Sequence, residues 1–427
     1  MGMTSMVSAV RSQVLGLVAR RFTGGNGPYA GLSMLPDKIL WPLHRDGLDP
    51  VPQMDRWRAE KPVTRLPVPF GIRAWLVTGY EPVKAVLGSV DGYSNDFAKF
   101  AGKIGIGMEQ NPGGLGFADP PDHTRLRKML TPEFTMRRLA RLQPRIEAIV
   151  AGRLDALDAA DGPVDLWHEF ALPIPALTIC ELLGVPYADR EYFQELSTTR
   201  FDLGAGGDAA LGAISDSLDY IGGLVEQQRR EPGEGLLGAL IKAHGDDIDD
   251  RELAGVADGV LTGGLETSAS MIALGALVLM TNPVMAGKMR AGVDVDAMVE
   301  ELLRYLTVVQ VAFPRIAVND VRIGDAEIRA GDVVMCSLSG ADRDARFGPD
   351  PQLIDPDRAA NRSHMAFGYG IHRCIGAELA RMELRVAYPA LVRRFPAMSP
   401  AVPPAELKFR RASIVFGLDE LPVDLGR

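Results

Sequence analysis

Apolar residues recur every three or four positions through most of the chain from about 120 to 310, and that spacing predicts helices. "RRLARLQPRIEAIVAGRLDALDAA", "LGAISDSLDYIGGLVEQQRR" and "DVDAMVEELLRYL" are examples. The most apolar long run, "GVADGVLTGGLETSASMIALGALVLM" (255–280), has the length to span a bilayer. It carries Asp258 and Glu266, and the acidic "DDIDD" before it suits a helix start, so it reads as a buried core helix. "QMDRWRAE" predicts a short helix, "VTRLPV" and "RAWLVTGY" two strands, and "EPVKAVLGS" another helix. Residues 316–336 switch to short strands turning at "IGDAEIRAGD", 337–370 are loop-rich, helix resumes at 374–395, and "ASIVFGLDELPV" closes the chain as a hairpin. No repeat, low-complexity tract or clear linker interrupts this pattern. The prediction is one mainly α domain with minor sheet pieces over 47–427. Residues 1–46 form an N-terminal extension of unassigned role, packed on the body and rich in Pro and Gly from 22 onward. The uncharged run "SQVLGLVA" near its start is too short for a membrane span and poorly shaped for a signal peptide.

Composition narrows the class. The 427 residues supply ample length for a large core. Net charge is −9 and no basic run stands out, which argues against nucleic acid as a partner. Cys180, Cys336 and Cys374 are odd in number and far apart, which speaks against a disulfide framework and for a reducing cytoplasm. No Cys-x-x-Cys or His-Glu-x-x-His supports a zinc site.

Cys374 is the cysteine with a suggestive setting. "MAFGYGIHRCIGAELARMEL" places it after a glycine-rich turn and at the predicted start of a helix. A thiolate there meets the positive end of the helix dipole and free backbone N–H groups. The small residues Gly368, Gly370 and Gly376 admit close approach by something bulky, and a soft thiolate beside such a surface suits an iron ligand beneath a planar macrocycle. A second unusual place is "LTGGLETSAS". Gly263 and Gly264 sit mid-helix at a cost of roughly 1 kcal/mol each. Thr267 lies four residues after Gly263, where its hydroxyl can bond that carbonyl and open the helix. With Glu266 beside it, an acid and an alcohol meet at a local opening, an arrangement suited to proton relay. In "VEELLRYL", Glu301 and Arg304 share a helix face, and so do His123 and Arg127 in "DPPDHTRLRKML". Spacing alone leaves both pairs as surface charge.

Phe367, Gly368, Gly370, His372, Cys374 and Gly376 match the haem-binding signature of the cytochrome P-450 family at every fixed position. The chain from about residue 47 onward resembles that family, with its motifs in order. The resemblance implies a helical triangular prism with a small β lobe, and haem b bound with Cys374 as proximal thiolate, Phe367, Gly368 and Gly376 shaping the loop. It implies that Gly263 and Gly264 border the haem and that Thr267 and Glu266 serve oxygen activation and proton supply. His123, Arg127, Arg315 and His372 would hold the haem propionates. Glu301 and Arg304 would form a structural ion pair with Arg358, Glu300 being the less fitting first acid. The implied reaction is monooxygenation of a hydrophobic small molecule, free or carrier-tethered, in secondary metabolism or in steroid, terpenoid or lipid oxidation. Electrons would come from a ferredoxin and its NAD(P)H-dependent reductase, docking near Arg373, and the protein would be a cytoplasmic monomer. Specificity would lie in 97–118, 190–225, 308–313 and the turn at 414–416, with Val311 and Val415 as substrate contacts. The rival readings are a haem-binding sensor or carrier without turnover, and a peroxide-driven oxidase of the same fold.

Overall fold

The computed structural model describes residues 37–68, 72–96, 114–193, 195, 207–358, 363–410 and 413–427. Seven helices position the site: α1 (Asp122–Leu130), α2 (Gln143–Ala159), α3 (Pro173–Leu183), α4 (Gly207–Arg230), α5 (Asp250–Thr281), α6 (Val295–Leu306) and α7 (Ala377–Arg394). Helix α5 starts where its acids predict. The Asp249 side chain accepts the Glu252 N–H at 2.7 Å, and Glu252 accepts the Asp249 N–H at 3.1 Å, closing a capping box. From Leu265 to Leu279 nearly every α5 residue is buried, because α3, α4 and α7 pack around it. The one described helix long and apolar enough to cross a membrane is therefore sheathed by protein.

The strands form a small lobe. β1 (Val63–Leu66), β2 (Ala74–Val77), β3 (Tyr93–Ser94), β4 (Arg315–Ala317) and β5 (Val333–Cys336) make one sheet in the order β1-β2-β5-β4-β3. β5 runs parallel to β2 and antiparallel to β4, and Ser94 of β3 faces Ile316 of β4. That register brings Asn95 beside Arg315. The closing segment departs from the predicted hairpin. Phe409 bridges Leu418 and Val415 bridges Val309, but Pro422–Asp424 leaves to pair with Ser399–Pro400 and Val164–Asp165. Alternating apolar residues marked strands there without showing which partner each would take.

Residues 1–36 of the predicted extension lie outside the described residues. The remainder of the extension packs on the body: Leu40 and Leu43 join Val311 in one apolar cluster, and Trp41 meets Trp57 edge to face at 4.6 Å. Arg45 donates to the Leu306 and Thr307 carbonyls and to the Gln310 side chain.

Glu301 and Arg304 are fully buried, not a solvent pair. Arg304 donates Nε to Glu301 Oε2 at 2.8 Å and Nη2 to Oε1 at 2.7 Å. Its remaining N–H groups reach the carbonyls of Asp342, Pro351 and Leu353, while Glu301 also takes the Asp355 N–H and Arg358. Glu301 is thus the first acid, as its register predicts, and Arg358 is the third member.

A further buried acid, Glu383 of α7, ties three helices together. Ser268 of α5 donates to its Oε2 at 2.6 Å, and Thr178 of α3 also bonds it. Burial pushes this carboxyl from 4.5 up to about 7. Both hydroxyl contacts favour the ionised carboxylate and oppose that effect of burial, and the Thr178 hydroxyl also lies 2.8 Å from the Ile174 carbonyl. A raised acid binds its proton more tightly when folded. Its stabilisation is complete below the unfolded value, falls between about 4.5 and about 7, and is absent above. Glu383→Gln, which keeps the hydrogen bonds without the ionisation, is expected to flatten this part of the stability curve. Urea unfolding measured from pH 5 to pH 8 should show a loss of up to about 3 kcal/mol in the parent chain that is absent in the variant.

Candidate functional site

The loop carrying Cys374 is fixed by its backbone. Gly368 and Gly370 have φ of +68° and +75°. At Gly370 a Cβ would also stand 2.2 Å from the Leu87 carbonyl oxygen, so no other residue fits. The Gly368 N–H donates to Met365 O at 2.7 Å, and the Cys374 N–H returns to Phe367 O at 2.9 Å. These bonds fold the loop back on itself and present the thiol. Cys374 does not open the helix: α7 begins at Ala377, with Gly376 as its N-cap. The intervening turn is what lets the Gly376 N–H point back and donate to the sulfur.

The three cysteines differ sharply. Cys180 and Cys336 are buried, and desolvation pushes both thiols up to about 12. Cys374 is exposed on one side although protein surrounds it on the others. Burial against those walls still raises its thiol, and the Gly376 N–H, Arg127, Arg373 and Arg381 oppose the rise.

Around this sulfur the structure gathers four residues singled out from sequence. The His123 and His372 rings lie 4.2 Å apart between centroids. Desolvation lowers both, His372 to about 3 with Arg315 and His123 adding to the effect, so both rings are neutral at pH 7. Arg127 and Arg315 face the same cluster. Arg315 is braced by the Asn95 side chain, and Asp119 in turn accepts the Asn95 N–H at 2.7 Å and the Ser94 hydroxyl. His123 is buried, yet neither ring nitrogen has a hydrogen-bond partner. A buried polar group without a partner carries a desolvation cost that a ligand would offset. Two arginines and two neutral imidazoles, one of them buried without a partner, suit a pair of carboxylates. The set therefore fits the propionates of a haem, just as a one-sided, open thiol fits its iron.

On α5, Thr267 Oγ1 donates to the Gly263 carbonyl at 2.7 Å, as the spacing predicts. A Cβ on Gly263 would meet nothing within 4 Å, while one on Gly264 would press on Ile179 at 3.2 Å. Gly263 thus leaves an open wall and Gly264 allows close packing of α3. Glu266 is buried, and sequence reasoning did not supply its partner. Arg410 donates to its Oε1 at 2.5 Å, lies 4.6 Å over the Trp167 ring and reaches the surface acid Asp419 at 3.2 Å. Burial raises the Glu266 carboxyl and Arg410 holds it back down. The 144 residues between the partners left no local signal.

Val311 and Val415 are both buried, Val311 among Leu40, Leu43 and Met335. The more open neighbour is Phe313, which packs on Phe117 at 5.0 Å between ring centroids. Residues 97–113, 194 and 196–206 of the specificity segments lie outside the described residues.

Comparison with known proteins agrees with this geometry. The family model described as Cytochrome P450 matches residues 294–417. Cytochrome P450 165C4 of Amycolatopsis orientalis is 42% identical over 351 residues, covering 82% of this chain and 86% of that protein. Nocardicin C N-oxygenase of Nocardia uniformis subsp. tsuyamanensis is 40% identical, covering 86% of this chain and 93% of its own. The structure of OxyE, a cytochrome P450 involved in teicoplanin biosynthesis, superposes with a TM-score of 0.83 at 37% identity, over 90% of this chain and 99% of that one.

The Glu266–Arg410 contact leads to a specific expectation. Arg410→Leu removes the charge that opposes burial, so Glu266 should take up a proton at neutral pH. Infrared difference spectra should show a protonated-carboxyl band in Arg410→Leu that disappears in the double variant with Glu266→Gln. Its absence from the single variant would mean that Arg410 does not control this acid.

Proposed function

The chain belongs to the cytochrome P450 family and is a haem-thiolate monooxygenase, and on that premise we propose that Cys374 is the thiolate holding its haem b and that the substrate is a hydrophobic small molecule of secondary metabolism. The observation that carries the assignment is the contrast among the cysteines. Only Cys374 combines an open side with a glycine-shaped loop and with His123, Arg127, Arg315 and His372 nearby.

When bound, the haem supplies the oxygen chemistry, with thiolate donation favouring O–O cleavage. The chain's own residues position and protect it. Arg127 and Arg315 carry the charge that would meet the propionates, and neutral His123 and His372 would add hydrogen bonds. Phe367, Gly368 and Gly376 shape the loop that presents the thiol, while Gly263 keeps the α5 wall open and Gly264 lets α3 pack closely behind it. Thr267 keeps its hydroxyl at the opened turn, bonded to Gly263 O, from where it can pass a proton. Glu266 is the neighbouring acid that helps feed that proton, by taking one up and passing it on, and its ion pair with Arg410 sets how readily it does so. This acid–alcohol pair favours a monooxygenase over a peroxide-driven oxidase or a haem carrier, neither of which needs protons delivered at that point.

Electrons come from separate proteins, a ferredoxin and an NAD(P)H-dependent reductase, and the exposed Arg373 contributes to the docking face. The assignment to secondary metabolism rests on relatives acting on nocardicin and in teicoplanin biosynthesis. The substrate is free or carrier-tethered, and the enzyme works in the cytoplasm.

The testing experiment is an absorbance titration of the purified ferric protein with a panel of hydrophobic small molecules, run beside Cys374→Ala and Thr267→Ala. The parent chain should show a thiolate-ligated haem that shifts from low to high spin with a fitting ligand. Cys374→Ala should lose the thiolate signature. Thr267→Ala should keep it while product per NADPH falls severalfold and peroxide rises. Thiolate absorption persisting in Cys374→Ala would sink the ligand assignment, and unchanged coupling in Thr267→Ala would sink the relay.

A further inference from the structure

Glu300 stands beside Glu301 on α6 but faces elsewhere. Its buried carboxylate takes Arg381 Nε at 2.5 Å and Nη2 at 3.0 Å, and His364 Nε2 at 3.3 Å. The Ala366 N–H donates to His364 Nδ1 at 3.2 Å, so geometry assigns the ring proton to Nε2, aimed at Glu300. His364 precedes the Cys374 loop and Arg381 follows it, in the second turn of α7. Phe367 lies between the two, 5.8 Å from the His364 ring and 4.6 Å from the Arg381 guanidinium. Its carbonyl is the one that accepts the Cys374 N–H. One acid on α6 therefore grips both ends of the loop that presents the thiol.

The charge of Arg381 is felt at the Cys374 sulfur. Two acids oppose that charge: Glu300, bidentate and buried, and Glu378 at 3.0 Å, whose side chain is 36% exposed. Solvent screens Glu378, so Glu300 dominates the balance. Positive charge near a bound iron stabilises the electron added on reduction, and negative charge opposes it.

We propose that Glu300 and Arg381 are positioning residues whose paired charges set the reduction potential of the iron held at Cys374. This rests on the reading of Cys374 as the iron's ligand. Glu300→Gln keeps the shape and a hydrogen-bond acceptor but leaves the cation opposed only by the solvent-screened Glu378, so the potential rises. Glu300→Gln with Arg381→Gln removes both charges together, so the potential returns toward that of the parent chain. A purely mechanical role predicts the reverse order, since the double variant has lost more of the clamp and should deviate further.

The experiment is spectroelectrochemical titration of the haem-loaded parent, Glu300→Gln and the double variant. The expected rise in Glu300→Gln is about tenfold in the reduction equilibrium, about 59 mV for one electron, with most of it recovered in the double variant. An unchanged potential in Glu300→Gln, or a larger displacement in the double variant, overturns the proposal. Should Glu300→Gln fail to fold, Arg381→Lys decides. It keeps both charges while breaking the bidentate geometry, so it should hold the parent potential, and a displaced potential counts against the inference. Absence of a thiolate signature in the parent would instead overturn the ligand reading, which the same spectra reveal.

Discussion

Two adjacent carboxylates on α6, Glu300 and Glu301, both buried, constrain everything around the thiol. Successive residues on a helix point about 100° apart, since 3.6 residues make a turn. One helix can therefore send neighbouring acids to different partners. Glu301 goes to Arg304, Arg358 and the Asp355 N–H, and Glu300 goes to Arg381 and His364. Removing an ion from water costs several kcal/mol even after relaxation, so each acid is tolerable only with close, well-oriented partners. Apart from Arg304, those partners are backbone and side chains of the segment from Asp342 to Arg381, whose described residues before α7 have little regular structure of their own. Helix α6 replaces the missing ladder bonds. Arg304 alone satisfies three of that segment's carbonyls. Loss of one partner would leave a buried charge uncompensated, at roughly 3–5 kcal/mol.

The same reasoning separates framework from site. In the framework, buried charges find oppositely charged partners inside the protein. Around Cys374, by contrast, Arg127 and Arg315 meet two imidazoles, and among the described residues the acid facing the cluster, Asp119, is engaged with Ser94 and Asn95. The His123 nitrogens complete the imbalance, being buried without a partner. A protein gains nothing in stability from such an arrangement, and functional sites are where that cost is retained. The excess of donors and positive charge is what a dianionic, planar cofactor would satisfy.

The local parts of this architecture were readable from sequence because they depend on spacing. The Thr267–Gly263 bond is an i to i+4 contact, the α5 cap is an i to i+3 contact, and Glu301–Arg304 is another. Periodicity found the helices and the strands of the β lobe other than the two-residue β3 (Tyr93–Ser94), which is too short to show an alternation. Helix α7 starts three residues later than the spacing predicts, because Cys374 and Ile375 continue the helix-like pattern while the backbone bonds of Arg373 and Cys374 run back to Gly370 and Phe367. Burial of Glu301 and Arg304 was invisible to spacing, which cannot tell a core pair from a surface pair. Glu300's separate role, the Glu266–Arg410 contact and the Ser268–Glu383 contact join residues far apart in the chain. No pairwise signal in one sequence identifies such partners.

Helix α5 shows why those long-range partners matter. Glu266, Thr267 and Ser268 are consecutive, so each reaches a different neighbour: Arg410 in the closing segment, the helix's own Gly263 carbonyl, and Glu383 on α7. An acid on the packed side of this helix has no solvent to face, and its charge must be answered from whichever element passes that side. For Glu266 this is the last part of the chain. The approach is close: a Cβ on Gly417 would stand 2.7 Å from Ser270 Oγ, and the Arg410 N–H bonds the Gly417 carbonyl at 2.9 Å. Pairing of Pro422–Asp424 with Ser399–Pro400 and Val164–Asp165 then anchors the segment beyond the turn. The ionisation of an acid beside Thr267 therefore depends on a strand pairing and a glycine contact far along the chain, and changes in the closing segment would reach the centre of the molecule through Arg410.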